Sequence, residues 1–159
     1  MLWHEKIAII KETYSQEAFL ASRVGFKKIK KTIESKFIVR PKDYYHPNIY
    51  LGAFRDWWKH MDKTYEAIIP YRFDKFIDTF LYSQHQFWVG YELGEVVLYK
   101  ATPKVIKHLS TIGQTWTRTF FIIHQKYDFI IGLNIRHDGT HIIYAGTDKM
   151  KQRLKNQFD

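Results

Sequence analysis

The chain has 159 residues, of which 45% are hydrophobic and 18% aromatic, a composition typical of one folded domain and not of a disordered protein. The absence of cysteine excludes disulfide bonds, thiolate zinc sites and cysteine nucleophiles. Lysine and arginine outnumber aspartate and glutamate by 25 to 16, and the resulting net charge of +9 favours anionic partners. Because the N-terminus lacks the apolar segment of a signal peptide and no apolar run is long enough to cross a membrane, we expect a cytoplasmic protein without a membrane partner.

The N-terminal part of the chain shows the apolar periodicity of amphipathic helices. A first stripe predicts a helix near the N-terminus and consists of Trp3, Ile7, Ile10 and Tyr14. The same spacing continues from Phe19 to Phe37 and predicts a second helical region. We expect this region to close at Arg40, because a residue that precedes proline, here Pro41, is pushed towards extended geometry.

The middle of the chain is less regular. Two prolines, an asparagine and a glycine make residues 41–52 an irregular connection. The pattern that follows predicts a short helix within residues 53–65 and a brief strand within residues 66–70. Phenylalanine and isoleucine then return to helical spacing, which predicts another helix within residues 72–83.

From residue 86 onwards the period changes from helical to strand-like. Residues 87–93 and 95–101 are rich in aromatic and β-branched residues and flank Gly94, so they predict an antiparallel hairpin. A helix is predicted next, over residues 102–113. It begins with threonine, a good N-cap, and proline, which tolerates the first helical position, and it ends at a glycine.

The C-terminal segment completes the predicted fold. Three further strands are expected at about 117–124, 127–136 and 141–146, and Thr147 is the predicted N-cap of a final helix. The order of elements predicts an α+β fold with a largely antiparallel sheet of about five strands, helices packed on one face and an N-terminal helical portion. We expect a single domain over residues 1–159, mainly helical in residues 1–83 and strand-rich in residues 84–159.

One pattern in the last hairpin has the residue types of a metal site. It is an HDxxH pattern formed by His137, Asp138 and His141. Asp138-Gly139 is also typical of a two-residue hairpin turn, and a turn at these residues would place the two histidines on opposite faces of the hairpin. A three-residue or bulged turn would relax that conclusion. We therefore predict a structural hairpin and assign no metal ligand and no cofactor.

Three pairs of ionisable residues have spacings that acid/base chemistry uses, but each has a structural explanation. The pairs are Glu92 with Glu95, Asp74 with Asp78, and Asp56 with His60. The first pair flanks a predicted turn, and the other two have the i, i+4 spacing of helix neighbours that face solvent. No GxSxG, HExxH or glycine-rich phosphate-binding motif is present, so we expect no enzymatic activity and assign no catalytic residue.

Basic residues concentrate in the second helical region. Residues 23–40 contain seven basic residues and one acidic residue, Glu34, so this segment supplies six of the nine net positive charges. We define these seven as the basic ridge: Arg23, Lys27, Lys28, Lys30, Lys31, Lys36 and Arg40. Trp57 and Trp58, together with Tyr44 and Tyr45, supply aromatic rings close by in sequence. We predict that the ridge, Trp57 and Trp58 contact an anionic macromolecule; the alternative is a solvated helix face.

Short patterns in the C-terminal half carry a resemblance to a known family. They are Phe87-Trp88, the run Lys126-Tyr127-Asp128-Phe129-Ile130, and Asn134 with His137-Asp138. This half resembles a family of small uncharacterised bacterial proteins with an aromatic strand, a KYxWL strand and an NHHD-like turn. The chain departs from that pattern at Phe129, where tryptophan is favoured, and at Arg136, where histidine is favoured, and the second departure weakens a metal-site interpretation. The resemblance implies no particular activity, but the family's size and style are similar to those of toxin-immunity and phage-conflict proteins.

These observations favour a non-enzymatic intracellular interaction protein, immunity-like or inhibitory, whose partner is a protein with an acidic surface. The alternative is a nucleic-acid-binding protein, for which affinity would fall steeply with ionic strength. A third hypothesis is a metal-dependent hydrolase that uses His137 and His141, and it requires these two side chains to converge in a pocket.

Overall fold

The computed structural model describes residues 3–14, 19–21, 26–42, 56–92, 96–111 and 117–158. Its helices are α1 (Trp3–Thr13), α2 (Phe26–Phe37), α3 (described over residues 56–60), α4 (Ile77–Phe80, after a 3-10 turn at Phe73–Phe76), α5 (Pro103–Thr111) and α6 (Asp148–Asn156). Its strands are β1 (Phe19–Ala21), β2 (Tyr65–Ile69), β3 (Phe87–Glu92), β4 (Val96–Ala101), β5 (Thr117–His124), β6 (Phe129–Arg136) and β7 (Gly139–Gly146). None of the described helices combines the length and the apolar character that a membrane span requires.

The strands form one antiparallel sheet in the order β1-β4-β3-β5-β6-β7-β2. This confirms the α+β class and the largely antiparallel sheet, although seven described strands replace the expected five. The five strands expected from residue 86 onwards are joined by β1 and β2, which come from the N-terminal half and form the two edges of the described sheet. The strand predicted within residues 66–70 is confirmed by β2, whereas the helix predicted from Phe19 is wrong there, because Phe19 pairs with Ala101 of β4.

Helices cover both faces of the sheet, so the prediction that they pack on one face is wrong. Successive side chains of a strand point to opposite faces, yet Phe120, Phe121, Ile122 and Ile123 of β5 are all 0% exposed. The first face packs against α1, the 3-10 turn, α4, α5 and α6; their contributions to this core include Ile10, Phe73, Phe80, Ile106 and Leu154. The second face packs against α2 and α3, which contribute Ile33, Phe37 and Trp57. The sheet is therefore the middle layer of three.

The predicted start of the last helix is confirmed. Thr147 has extended backbone angles, and its side-chain oxygen accepts a hydrogen bond from the backbone N–H of Met150 at 3.4 Å. The buried Tyr144 hydroxyl donates to the carbonyl of Thr147 at 2.7 Å, and burial raises the pKa of this phenol to about 12. These two bonds fix the connection between β7 and α6.

The turn between β6 and β7 lies one residue earlier than the sequence suggests. Arg136 pairs with Gly139, so His137 and Asp138 form the two-residue turn and the prediction of a turn at Asp138-Gly139 is wrong. A Cβ atom on Gly139 would lie 2.5 Å from the carbonyl oxygen of Ile69 in β2. Only glycine allows the two backbones to approach this closely. Gly139 therefore lies in β7 beside β2 and not in the turn, where an Asp-Gly pair would usually place it.

Candidate anion-binding site on helix α2

Helix α2 lies on the second face of the sheet with its apolar side inward. Ile33 is 0% exposed and Phe37 is 4% exposed, and both belong to the core beneath the helix. Because an α-helix has 3.6 residues per turn, the side of α2 opposite these two residues points away from the sheet. Lys27, Lys28 and Lys31 are accordingly exposed, and this part of the basic ridge faces solvent.

One side of α2 and the segment after it form a cavity of about 500 Å³. Its lining residues are Lys27, Lys30, Lys31, Glu34, Ser35, Ile38 and Arg40. Four of them are basic and one is acidic, so the lining carries a net of three positive charges. We call this feature the basic cavity. A concave surface lined by charges of one sign concentrates counter-ions, which here would be anions.

Arg40 is held in the wall of the basic cavity by two carboxylates. Its Nε donates to Oδ2 of Asp56 at 2.9 Å, and its Nη2 donates to the same oxygen. Nη2 also donates to Oε2 of Glu34 at 2.5 Å. The hydrogen bond to Asp56 contributes most to raising the Arg40 pKa, and the bond to Glu34 adds to it against the opposing effect of burial. Arg40 is thus a positioned cation that joins α2 to α3.

Asp56 anchors this network from below. It is 2% exposed, and its Oδ1 lies 3.0 Å from Nδ1 of His60, one turn later in α3. The His60 side chain is only 8% exposed, so the prediction that Asp56 and His60 face solvent is wrong for both. A buried carboxylate needs hydrogen-bond partners, and Arg40 and His60 supply them. These contacts give Asp56 and His60 a structural role, which accounts for their i, i+4 spacing without acid/base chemistry.

The lysines of the basic cavity differ in their pairing. Lys30 lies 3.7 Å from Glu34, in an i, i+4 ion pair on the helix surface. In the described part of the chain, no carboxylate forms an ion pair with Lys27 or with Lys31, which lie one turn apart on the same wall. These two ammonium groups are therefore the ones that an external anion can engage without displacing a described internal partner.

The remaining residues of the basic ridge lie elsewhere. Lys28 and Lys36 are exposed on α2 but do not line the basic cavity, and the Lys36 ammonium lies 5.8 Å from the centre of the Phe37 ring. Arg23 lies outside the described residues, and so do Tyr44 and Tyr45. The structure therefore brings Lys27, Lys30, Lys31 and Arg40 together out of the seven.

Trp57 is a core residue, so its prediction as a contact residue is wrong. It is 0% exposed, and its ring meets Phe121 of β5 edge-on, with 5.5 Å between the ring centres. Trp58 is half-buried and makes edge contacts with Phe121 at 6.1 Å and with His141 at 5.1 Å. Two adjacent tryptophans on a helix point about 100° apart. The sequence alone did not show which of them faces the sheet.

The other candidate sites of the sequence do not assemble. His141 lines a second cavity, of about 360 Å³, and its Nε2 lies 2.7 Å from Glu66, but His137 is not part of that lining. Asp74 and Asp78 pair separately, with Arg72 at 2.7 Å and with Lys107 at 2.9 Å. Within the described ranges, no group of three or more histidine, aspartate or glutamate side chains is placed to hold a metal ion. The side chains of Glu92 and Glu95 lie outside the description.

A pair of histidines that the sequence did not reveal, buried His124 and half-buried His85, lies at the end of β5. His124 is 5% exposed, its Nε2 lies 3.2 Å from Nδ1 of His85, and its Nδ1 lies 3.2 Å from Oδ2 of Asp128. The ring stacks on Phe129, with 5.8 Å between centres. Burial lowers the pKa of His124, Asp128 opposes this effect, and His85 and Lys126 add to it.

This lowered pKa predicts a loss of stability in mild acid. Below pH 6.5, the usual pKa of histidine, this imidazole is protonated in the unfolded chain, whereas burial disfavours its protonation in the folded protein. The free energy of unfolding should therefore fall as the pH drops from 6.5 towards the lower folded-state pKa. Urea unfolding of the wild type and of His124→Gln across this range measures the effect, and we expect the shallower pH dependence in the variant. Parallel pH profiles for the two proteins would contradict it.

Comparisons with known proteins found no relative of this chain. No family model matches the chain, and no curated protein and no solved structure shows significant similarity to it. The resemblance seen in the C-terminal half therefore stays a prediction, and the functional argument depends on the geometry of the basic cavity.

Proposed function

We propose that this chain is a non-enzymatic interaction protein that binds the acidic surface of a partner protein through the basic cavity. The observation that carries the proposal is the pair Lys27 and Lys31, two exposed ammonium groups one helical turn apart that no described carboxylate neutralises. Ammonium groups form stronger hydrogen bonds with charged acceptors than with neutral ones, so carboxylates are favoured ligands here. An inhibitory or immunity-like role for such binding comes only from the analogy in size and style with toxin-immunity and phage-conflict proteins.

The concentration of positive charge in α2 and the segment after it favours the basic cavity over other surfaces as the binding site. Six of the nine net positive charges of the chain lie between residues 23 and 40, and four of the basic residues in that segment line one cavity. The field of such a cluster attracts an anionic partner over roughly a Debye length, about 8 Å at physiological salt, and raises the rate of association.

The positions of the tryptophans favour a protein partner over single-stranded nucleic acid. Binding of single strands combines a basic groove with aromatic faces on which bases stack. The ring of Trp57 is 0% exposed, and Trp58 packs against Phe121 and His141. Of the two aromatics expected beside the ridge that the structure describes, Trp57 therefore offers no ring face to a base and Trp58 offers only part of one.

Fluorescence anisotropy with two labelled anionic probes tests the proposal. A labelled oligoglutamate peptide stands in for an acidic protein surface, and an oligothymidylate of matched charge stands in for nucleic acid. We expect the wild type to bind oligoglutamate at low salt, with an affinity that weakens as salt screens the lysines. Preference for oligothymidylate, with a steep loss of affinity on adding salt, would favour the nucleic-acid alternative. Failure to bind either probe at low salt would contradict anion binding altogether.

A further inference from the structure

Among the described residues that line the basic cavity, Glu34 is the single acidic one. Its Oε2 accepts a hydrogen bond from Nη2 of Arg40 at 2.5 Å, and its Oε1 lies 3.7 Å from Nζ of Lys30. The Glu34 side chain is 18% exposed and the Arg40 side chain 24% exposed, so solvent reaches this contact. A carboxylate from the chain itself therefore already occupies part of an otherwise basic surface.

We propose that Glu34 acts as an internal competitor, which occupies the position that a carboxylate of the partner takes on binding. The inference rests on the proposed function and adds the chemistry of the ligand: an aspartate or glutamate side chain of the partner protein. A carboxylate that approaches Lys27 and Lys31 competes with Glu34 for the neighbouring Lys30 and for the outer edge of Arg40. The strength of the internal contact therefore limits the affinity for the partner.

The network keeps Arg40 in place when Glu34 is displaced. Asp56 accepts from both Nε and Nη2 of Arg40, and Asp56 is itself fixed by burial and by His60. A guanidinium has five N–H donors in a planar fork, so the contacts to Asp56 leave donors for a second carboxylate. Its planar geometry matches a carboxylate in two-point contact, and this supports an acidic side chain as the ligand.

The test is the substitution Glu34→Gln, which keeps the shape of the side chain and removes its charge. We expect oligoglutamate to bind this variant about threefold more tightly than the wild type, which is the scale of a partly exposed ion pair. Glu34→Ala also removes the hydrogen-bond acceptor and should bind at least as tightly, so it serves as a second variant if Glu34→Gln folds poorly. Thermal unfolding confirms that each protein is folded before binding is measured.

Glu66→Gln is the matched control. Glu66 is an exposed carboxylate with two partners, Lys63 at 2.9 Å and His141 at 2.7 Å, so its removal changes the net charge equally at another place. We expect oligoglutamate affinity in this control to stay close to that of the wild type. An equal gain in both variants, or no gain at Glu34, would overturn the internal competition and leave the proposed function standing. Absence of binding in the wild type and in both Glu34 variants would overturn the two together.

Discussion

Replacing Trp57 by alanine is expected to lower the free energy of unfolding by about 3 to 5 kcal/mol, the usual cost of truncating a fully buried tryptophan. Trp57 is 0% exposed and lies in the core between α2, α3 and the second face of the sheet. Its ring contacts Phe121, and Ile33 and Phe37 of α2 belong to the same cluster. The loss should therefore also loosen the helix that carries the basic cavity.

Urea unfolding measures this effect, and Trp58→Ala is the matched control. Trp58 is the next residue on the same helix but is half-buried, so its truncation should cost clearly less. A larger loss at Trp58 than at Trp57 would mean that α3 is rotated about its axis relative to the arrangement described. In that case Trp57 would regain the surface role that the sequence suggested.

Local signals predicted the C-terminal elements well. The hairpin of β3 and β4 and the N-cap at Thr147 depend on residues that are close in sequence, and both are confirmed. The edge strand β1 was missed because three residues are too few to show the alternation of a strand, and Phe19 also fits the helical spacing that follows. Its strand conformation is selected by pairing with Ala101 and its neighbours, far along the chain.

The sequence also contains an indication that helices cover both faces of the sheet. β5 contains the continuous apolar run from Phe120 to Ile123, and β6 begins with the run from Phe129 to Ile131. A strand with one face in solvent shows alternating polar and apolar residues, whereas continuous apolar runs are typical of strands buried on both faces. These runs indicate a second helical layer, which α2 and α3 provide.

The candidate site was predictable only in part. The charge of α2 and the exposure of Lys27 and Lys31 follow from composition and helical periodicity, because Ile33 and Phe37 of the same helix face the core. The contact between Arg40 and Asp56 joins residues that are 16 positions apart. It depends on how α3 packs against α2, and no local pattern in the sequence reports that packing.

Reversing the charge of Lys27 and Lys31 tests the central claim most directly. In the double variant Lys27→Glu with Lys31→Glu, oligoglutamate affinity should fall at least about tenfold, because two attractions become repulsions. The matched control is Lys104→Glu with Lys149→Glu, two exposed lysines in the first turns of α5 and α6 on the opposite face of the sheet. It changes the net charge equally at sites where acidic residues suit the helix dipole.

Anisotropy titrations of the two double variants, each shown to be folded by its thermal unfolding, give the decisive comparison. If the basic cavity is the binding surface, the α2 variant loses much of its affinity for oligoglutamate. The control variant keeps an affinity within about twofold of the wild type, since salt screens its distant charges. Equal losses in the two variants would assign the binding to overall charge. Unchanged affinity in the folded α2 variant would contradict the assignment of the basic cavity as the binding site.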